Sequence, residues 1–209
     1  MPAETLVHTI RHGRTAYNHD MRYAGSIDVP LSDDGVADCR RAARKLADRT
    51  FDVAITSTLS RAVHTARLPV GERTRLVETP LCNERNFGIL EGLTWDEVLK
   101  LDPPVLMIEV GGDLHTVDPK GAEPFEDVWE RAKRFRRFLF ERYRGRSVLV
   151  VSHGVFLQLF HGLLRGLSCI PSLASFPANL ELARFRFDGD RLVEETIESL
   201  NGQVPQAKF

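Results

Sequence analysis

The sequence predicts an α/β fold, a three-layer sandwich with a mostly parallel central sheet flanked by helices. Two observations carry that expectation. Val53-Ala54-Ile55 and Val148-Leu149-Val150-Val151 are short, continuously apolar runs, the pattern of strands covered on both faces. Segments with helical spacing separate the strand-like runs, and that alternation implies a parallel sheet joined by crossover helices. With 209 residues and 43% hydrophobic composition, residues 1–209 suffice for one domain with a substantial core.

The elements follow in chain order. Leu6–Ile10 reads as a first buried strand. Ser32 caps a helix whose positions Val36, Cys39, Ala43 and Leu46 recur at three-and-four spacing. Asp52–Thr56 is a second strand, and Leu59–Leu68 a helix that stops at Pro69. Thr94-Trp95-Asp96-Glu97 fits a capping box. From Asp102 to Pro124 the chain carries Pro103, Pro104, Gly111, Gly112, Pro119 and Gly121 with weak periodicity, so residues 94–124 read as a lid-like insertion rather than a second domain. Within it, Val105-Leu106-Met107-Ile108 is either pocket lining or the insertion's own core. Phe125, Val128, Trp129, Ala132, Phe135, Leu139 and Tyr143 form one stripe of a long helix. Ser147–Ser152 is a third strand, followed by a helix over Val155–Leu164. Asp188-Gly189, between Leu180–Phe187 and Arg191–Glu194, reads as a hairpin turn.

Composition narrows the function. The net charge is −1, so no nucleic-acid partner is expected, and the basic run Arg131-Ala132-Lys133-Arg134 with Arg136-Arg137 reads as a solvated helix face. No apolar stretch is long enough for a membrane span, and the N-terminus lacks the regions of a signal peptide. Cys39, Cys82 and Cys169 are odd in number and scattered, without zinc or disulfide spacing, which points to packing roles in a reducing cytoplasm.

The chemistry gathers at strand ends. Arg11-His12-Gly13 follows the first strand, Arg61 lies just past the second, and His153-Gly154 follows the third. In a parallel sheet, ligands bind beyond the carboxyl ends of the strands, so these residues are expected at one edge. Two arginines and two histidines suit a phosphate monoester. Guanidinium forks bind its oxygens, neutral imidazole can attack phosphorus, and a proton donor must serve the leaving oxygen. Helix N-termini after the first and third strands are expected to add N–H donors, and Gly13 and Gly154 to let backbone approach the ligand.

Five segments in order strengthen this reading. They are Arg11-His12-Gly13-Arg14-Thr15 with Asn18; Gly25-Ser26-Ile27-Asp28-Val29-Pro30-Leu31 with Gly35; Ser57-Thr58-Leu59-Ser60-Arg61-Ala62 with Thr65-Ala66; Asn83-Glu84-Arg85-Asn86-Phe87-Gly88 with Glu91-Gly92; and Val151-Ser152-His153-Gly154. Together they resemble the histidine phosphatase superfamily, the phosphoglycerate-mutase-like fold. Asn179 falls where that family often has an asparagine before its last strands. The resemblance implies that His12 is the nucleophile and becomes phosphohistidine. It implies that Arg11, Arg61 and His153 hold the phosphoryl oxygens, with Asn18 and Gly154 contributing to phosphate binding. It implies that Glu84, rather than Glu91 or Glu97, is the general acid, and that no metal or organic cofactor takes part. His8, His19, His64, His115 and His161 have no motif support and read as structural or exposed.

Three functions share these residues. A phosphatase passes the phosphoryl group to water, and a mutase returns it to a sugar-acid hydroxyl. An inactive phosphate-binding or scaffold module would have lost part of the set, yet His12, Arg11, Arg61, Glu84 and His153 are all present. Glu84-Arg85-Asn86-Phe87-Gly88 is locally mutase-like. The mutases, however, carry paired arginines in their insertion. Here Val98 to Glu123 has Lys100 and Lys120 against Asp102, Glu109, Asp113, Asp118 and Glu123, without an arginine pair, and is expected to repel a small polyanion. A phosphatase acting on a small-molecule monoester with an uncharged or apolar leaving group is therefore the favoured reading, as a monomer or homodimer. Gly121-Ala122-Glu123-Pro124 departs from the family's Gly-Glu-Ser, which leaves the anchoring of the insertion open.

Overall fold

The structure, a computed structural model, describes residues 4–70 and 74–201. In chain order its strands are β1 (Thr5–Arg11), β2 (Val53–Thr56), β3 (Arg75–Glu78), β4 (Met107–Val110), β5 (Asp113–Thr116), β6 (Ser147–Ser152), β7 (Glu181–Asp188) and β8 (Arg191–Ser199). The helices are α1 (Ala16–His19), α2 (Asp33–Lys45), α3 (Ser60–Val70), α4 (Trp95–Val98), α5 (Phe125–Tyr143) and α6 (Gly154–Leu164). Six strands form one sheet in the order β3-β2-β6-β1-β7-β8, and β4 pairs with β5 in a separate hairpin. The pairs β3/β2, β2/β6 and β6/β1 are parallel; β7 runs antiparallel to both its neighbours. The three-layer, mostly parallel sandwich is the one predicted. No helix among the described residues is long and apolar enough to cross a membrane.

The two helical layers explain the continuous apolar runs. Val148 and Val150 of β6 join the core formed with α5 and α6, while Leu149 and Val151 join the core formed with α2 and α3. A strand with helices on both sides has no face for polar residues. Ser32 caps α2 by accepting from the Gly35 N–H at 3.1 Å, and Thr94 and Glu97 form the capping box of α4.

Several boundaries differ from expectation. Helix α3 continues through Pro69 to Val70. The proline falls in the last turn, where it deletes a single terminal hydrogen bond. The β7–β8 turn is Gly189-Asp190, because Asp188 pairs with Arg191. Gly189 there takes a φ of 60°, open to glycine at no steric cost. In the insertion, Gly111 and Gly112 (φ 63° and 84°) make the two-residue turn of the β4–β5 hairpin. Val105, Met107 and Ile108 pack against the main core and Leu106 is 65% exposed, so this stretch is the insertion's core rather than pocket lining. Arg131 does not belong to a solvated basic face; it is buried against Glu123.

Two buried histidines lie in or beside the sheet. His8 sits edge-on to Phe51, and His161 bonds Thr9 Oγ1 at 2.7 Å. Burial lowers His8 to about 4 and His161 to about 3. Below about pH 6.5 the unfolded chain takes protons that these folded groups refuse, so stability falls as pH drops from there toward 4 and 3. At pH 5 each histidine removes roughly 2 kcal/mol relative to pH 7. Urea unfolding at the two pH values checks this. His161→Gln, which retains a partner for Thr9 but no basic nitrogen, is expected to lose correspondingly less; an equal loss in the variant would overturn the assignment.

Candidate active site

Strands β2, β6 and β1 are parallel neighbours, with Thr56 opposite Val151 and Arg11 opposite Ser152. Their carboxyl ends are therefore level, and the residues that follow meet at one edge. The His12 and His153 ring centroids are 5.1 Å apart, and Arg61 Nε lies 3.2 Å from His153 Nδ1.

His12 is oriented by its own backbone. Its Nδ1 lies 2.7 Å from the Gly13 carbonyl oxygen. A carbonyl only accepts, so Nδ1 carries the hydrogen and Nε2 keeps its lone pair. The peptide beneath it is pinned on every side. His12 N donates to Ser152 O (2.9 Å), Leu180 N to Arg11 O (3.0 Å), Asn179 Nδ2 to His12 O (2.7 Å) and Gly13 N to Thr65 Oγ1 (3.0 Å). Leu180 adopts a φ of 57°, a conformation that costs a branched residue about 1–2 kcal/mol, to make its bond. Burial, then the Arg61 and Arg11 cations, push His12 well below the ordinary histidine range, so it is the neutral base at neutral pH.

The two arginines are held by loop carbonyls. Arg11 donates to Pro177 O at 3.0 Å and lies 4.7 Å from the Phe176 ring centroid. Arg61 donates to Gly25 O and Ile27 O, both at 2.7 Å. The Gly25–Leu31 segment is thus wrapped around the Arg61 guanidinium. Burial lowers Arg11 to about 10 and also lowers Arg61, with Glu84 opposing it, and both remain cationic at pH 7. Since Arg61 can only donate, His153 accepts at Nδ1 and donates from Nε2 to Ser57 Oγ at 2.6 Å. Burial and Arg61 hold His153 neutral as well.

Glu84 occupies the start of α6. Its carboxylate accepts from Arg85 N (2.8 Å), Val155 N (3.2 Å) and Phe156 N (3.1 Å). This corrects the expectation that the α6 N-terminus is free for phosphate: the carboxylate satisfies those donors. At α1, Thr15 and Asn18 form a capping box, with Asn18 Oδ1 accepting from Thr15 N at 3.1 Å. Asn18 still lines the cleft. The rival carboxylates are engaged elsewhere, Glu91 with Ser26 N (2.7 Å) and Phe87 N (3.1 Å), and Glu97 with Thr94 N (2.7 Å).

Arg11, His12, Asn18, Arg61 and Glu84 line one cleft, which continues between Tyr23, Phe87, Phe125, Phe176 and Asp113–Thr116 of β5. His153 is fully buried behind Arg61 and His12 rather than on the wall. At Gly154 the glycine is required by packing, since a Cβ there would overlap the Phe176 ring. Gly13 is likewise required by packing, since its Cβ would overlap Cys39 Sγ. Of the five acids between Val98 and Glu123, Asp113 alone lines the cleft, and Glu123 pairs with Arg131, so the expected repulsive wall is not formed. Arg22 and Arg85 are cleft residues to which the sequence gave no role, and His115, expected to be structural or exposed, is buried in the cleft lining. Arg85 stands beside Glu84 in its motif, which was a usable signal. Arg22 donates to Gly92 O (2.7 Å), and Arg85 to Thr116 O, Val117 O and Glu123 O (each 2.8 Å).

The sequence model of the histidine phosphatase superfamily (branch 1) matches residues 7–199. This chain belongs to the histidine phosphatase superfamily. Among its relatives, a 2,3-bisphosphoglycerate-dependent phosphoglycerate mutase of Bradyrhizobium diazoefficiens is 35% identical over 176 residues, 79% of this chain and 84% of the relative. A mutase of the same name from Nitrobacter winogradskyi is 32% identical over 94% of this chain and 98% of its own. Among solved structures, Bacillus stearothermophilus YhfR aligns with a TM-score of 0.79 at 27% identity, covering 90% of this chain and 94% of that one. A putative alpha-ribazole-5'-P phosphatase from Escherichia coli aligns with a TM-score of 0.79 at 25% identity, covering 98% and 99%. The histidine phosphatase superfamily thus includes both mutase-named and phosphatase-named relatives of this chain.

The buried, neutral histidines have a direct readout. In ligand-free protein, the ring C–H NMR signals of His12 and His153 are expected not to titrate between about pH 8 and about pH 5.5. A titration midpoint near the ordinary 6.5 for His12 would contradict the site's electrostatics.

Proposed function

We propose that the protein is a metal-independent phosphomonoesterase acting through a phosphohistidine on His12. The observation that carries this reading is the neutral His12 with its Nε2 lone pair, held in a cleft shared with Arg11, Arg61 and Glu84. In the first half-reaction Nε2 attacks phosphorus, the bond to the leaving oxygen breaks, and protonated Glu84 gives that oxygen a proton. The Nδ1–H bond to Gly13 O stabilises the positive charge that develops on the ring. Arg11 and Arg61 hold the equatorial oxygens, which carry most of the negative charge. His153 stays neutral and holds the Arg61 guanidinium in place by accepting from its Nε at Nδ1. In the second half-reaction water attacks phosphorus, Glu84 takes its proton, and the phosphorus–nitrogen electron pair returns to Nε2 as phosphate departs.

Water is the favoured acceptor because the cleft offers little to hold a second anionic group. Arg85 is tied to the Thr116, Val117 and Glu123 carbonyls and Arg22 to Gly92 O and Glu97, so both cations are partly committed within the protein. The surrounding wall is Tyr23, Phe87, Leu114, Phe125 and Phe176. That lining suits a monoester whose leaving group is uncharged and largely apolar. The mutase reading draws support from the named relatives and from Glu84-Arg85-Asn86-Phe87-Gly88.

Wild-type protein is expected to hydrolyse p-nitrophenyl phosphate in EDTA, and His12→Ala to lose both turnover and acid-labile phosphoenzyme. Phosphoenzyme retained in the variant would move the nucleophile, with His153 the first candidate. The acceptor is decided by 3-phosphoglycerate with its bisphosphate primer. Monoester hydrolysis should exceed mutase turnover, and the opposite ranking would reverse the assignment.

A further inference from the structure

Glu84 is carried by an extended segment without regular secondary structure of its own at Asn83–Asn86. Such a segment brings backbone carbonyls into the interior, where each needs a donor. Here four consecutive carbonyls are met by side chains from the α5–β6 side of the sheet. Ser152 Oγ donates to Cys82 O at 2.6 Å. Arg131 of α5 serves the other three, Leu81 O (3.2 Å), Asn83 O (2.6 Å) and Glu84 O (3.4 Å).

The guanidinium is itself fixed. Glu123 receives Nε at 3.0 Å and Nη2 at 2.8 Å, a two-point contact. Arg131 has five N–H donors, and the five bonds to Glu123, Leu81, Asn83 and Glu84 account for all of them. The Phe156 ring, whose N–H holds the Glu84 carboxylate, lies 5.4 Å from the Arg131 guanidinium. Glu84 is thus gripped twice, by α6 at its carboxylate and by Arg131 at its main chain.

We infer that Arg131, locked by Glu123, is the positioning residue for the catalytic acid, and that its removal acts on leaving-group protonation rather than on phosphate binding. The inference rests on the reading of Glu84 as the acid. Arg131 bonds Glu84's backbone and the preceding carbonyls, whereas the Arg11 and Arg61 contacts run to Pro177, Gly25, Ile27 and His153 and are independent of it. A proton donor must sit within hydrogen-bond reach of the leaving oxygen, and a shift of about 1 Å can cost on the order of a hundredfold. Lysine has three donors and no fork, so it cannot replace the five-bond arrangement.

The test compares Arg131→Lys and Glu123→Gln with Glu84→Gln on two substrates. p-Nitrophenyl phosphate has a leaving group that barely needs a proton, and benzyl phosphate one that does. Thermal melting establishes that each variant is folded, and competitive inhibition by inorganic phosphate reports the phosphate site. Arg131→Lys should lower kcat/KM, which reports the steps up to phosphoenzyme formation, by about tenfold or more on benzyl phosphate and by less than about threefold on p-nitrophenyl phosphate, and leave phosphate inhibition unchanged. Glu123→Gln, the milder change, should move in the same direction. In the double variant Glu84→Gln/Arg131→Lys, benzyl phosphate turnover should fall no further than in Glu84→Gln alone. Equal losses on both substrates, weakened phosphate inhibition, or additive losses in the double variant would each overturn the positioning role. If Glu84→Gln itself shows no leaving-group dependence, the acid assignment fails, and that result is separate from the outcome at Arg131.

Discussion

The site depends on keeping guanidinium groups charged while they are out of water. Arg61 and Arg85 are 1% exposed, Arg11 8% and Arg131 9%. A buried cation without acceptors is strongly unfavourable, and a carboxylate partner would satisfy it while cancelling its field. Three of the four donate to main-chain carbonyls instead: Arg11, whose Nε has no hydrogen-bond partner among the described residues, to Pro177, Arg61 to Gly25 and Ile27, and Arg85 to Thr116, Val117 and Glu123. Carbonyl dipoles take the N–H groups and leave the net charge in place. Arg131, which is not among the cleft-lining residues, combines an ion pair to Glu123 with bonds to three main-chain carbonyls. The same arrangement explains the loops. The segments after β1, β2 and β3, and the return from the insertion, are folded around guanidinium groups as much as around apolar side chains.

That positive environment sets the state of the histidines. Burial alone disfavours imidazolium, and Arg11 and Arg61 add to the penalty at both His12 and His153. His12, the proposed nucleophile, is therefore a neutral base without an acidic partner to deprotonate it. Glu84 is close enough to oppose the lowering of both arginines. Its hydrogen bonds go to backbone N–H groups of Arg85, Val155 and Phe156, so the carboxylate remains distinct from the cations that receive the phosphoryl group.

The parts of this design that were legible in the sequence are those with internal period or strand-end position. β6 was readable because both faces are buried, and His12, Arg61 and His153 because parallel neighbouring strands end level. β3 was not, since Leu76 and Val77 between two charged residues give too little pattern for a half-buried edge strand. The charge count of the insertion misled because a hairpin sends alternate side chains to opposite faces: Glu109 of β4 is exposed while Asp113 of β5 meets the cleft. The resemblance picked out Asn179 and Thr65, but what they act on was hidden for another reason. Asn179 meets the His12 carbonyl and Thr65 the Gly13 N–H across long stretches of chain, contacts that local pattern does not encode. Arg131 had a usable signal. It lies three residues after Val128 and four before Phe135, on the buried stripe of α5, and only its place in a basic run disguised it.

The acid and the pocket wall share a tether, and this constrains how the pocket can vary. Arg85, next to Glu84, ties the end of β5 through Thr116 and Val117. The returning segment bonds the same loop, with Ile89 N donating to Lys120 O (3.0 Å) and Glu123 N to Asn86 O (2.9 Å). Gly88, at a φ of 59°, lies so close to the backbone at Lys120 and Ala122 that a Cβ would overlap both. A change at this junction moves the substrate wall and Glu84 together. The tip of the β4–β5 hairpin is free of that coupling: Leu114 is 46% exposed, lines the cleft, and lies beyond the carbonyls that Arg85 holds. On the proposed mechanism, leaving-group preference can therefore be altered at Leu114 with Glu84 left in place, whereas the same alteration made through Arg85 or Glu123 would move the proposed proton donor as well.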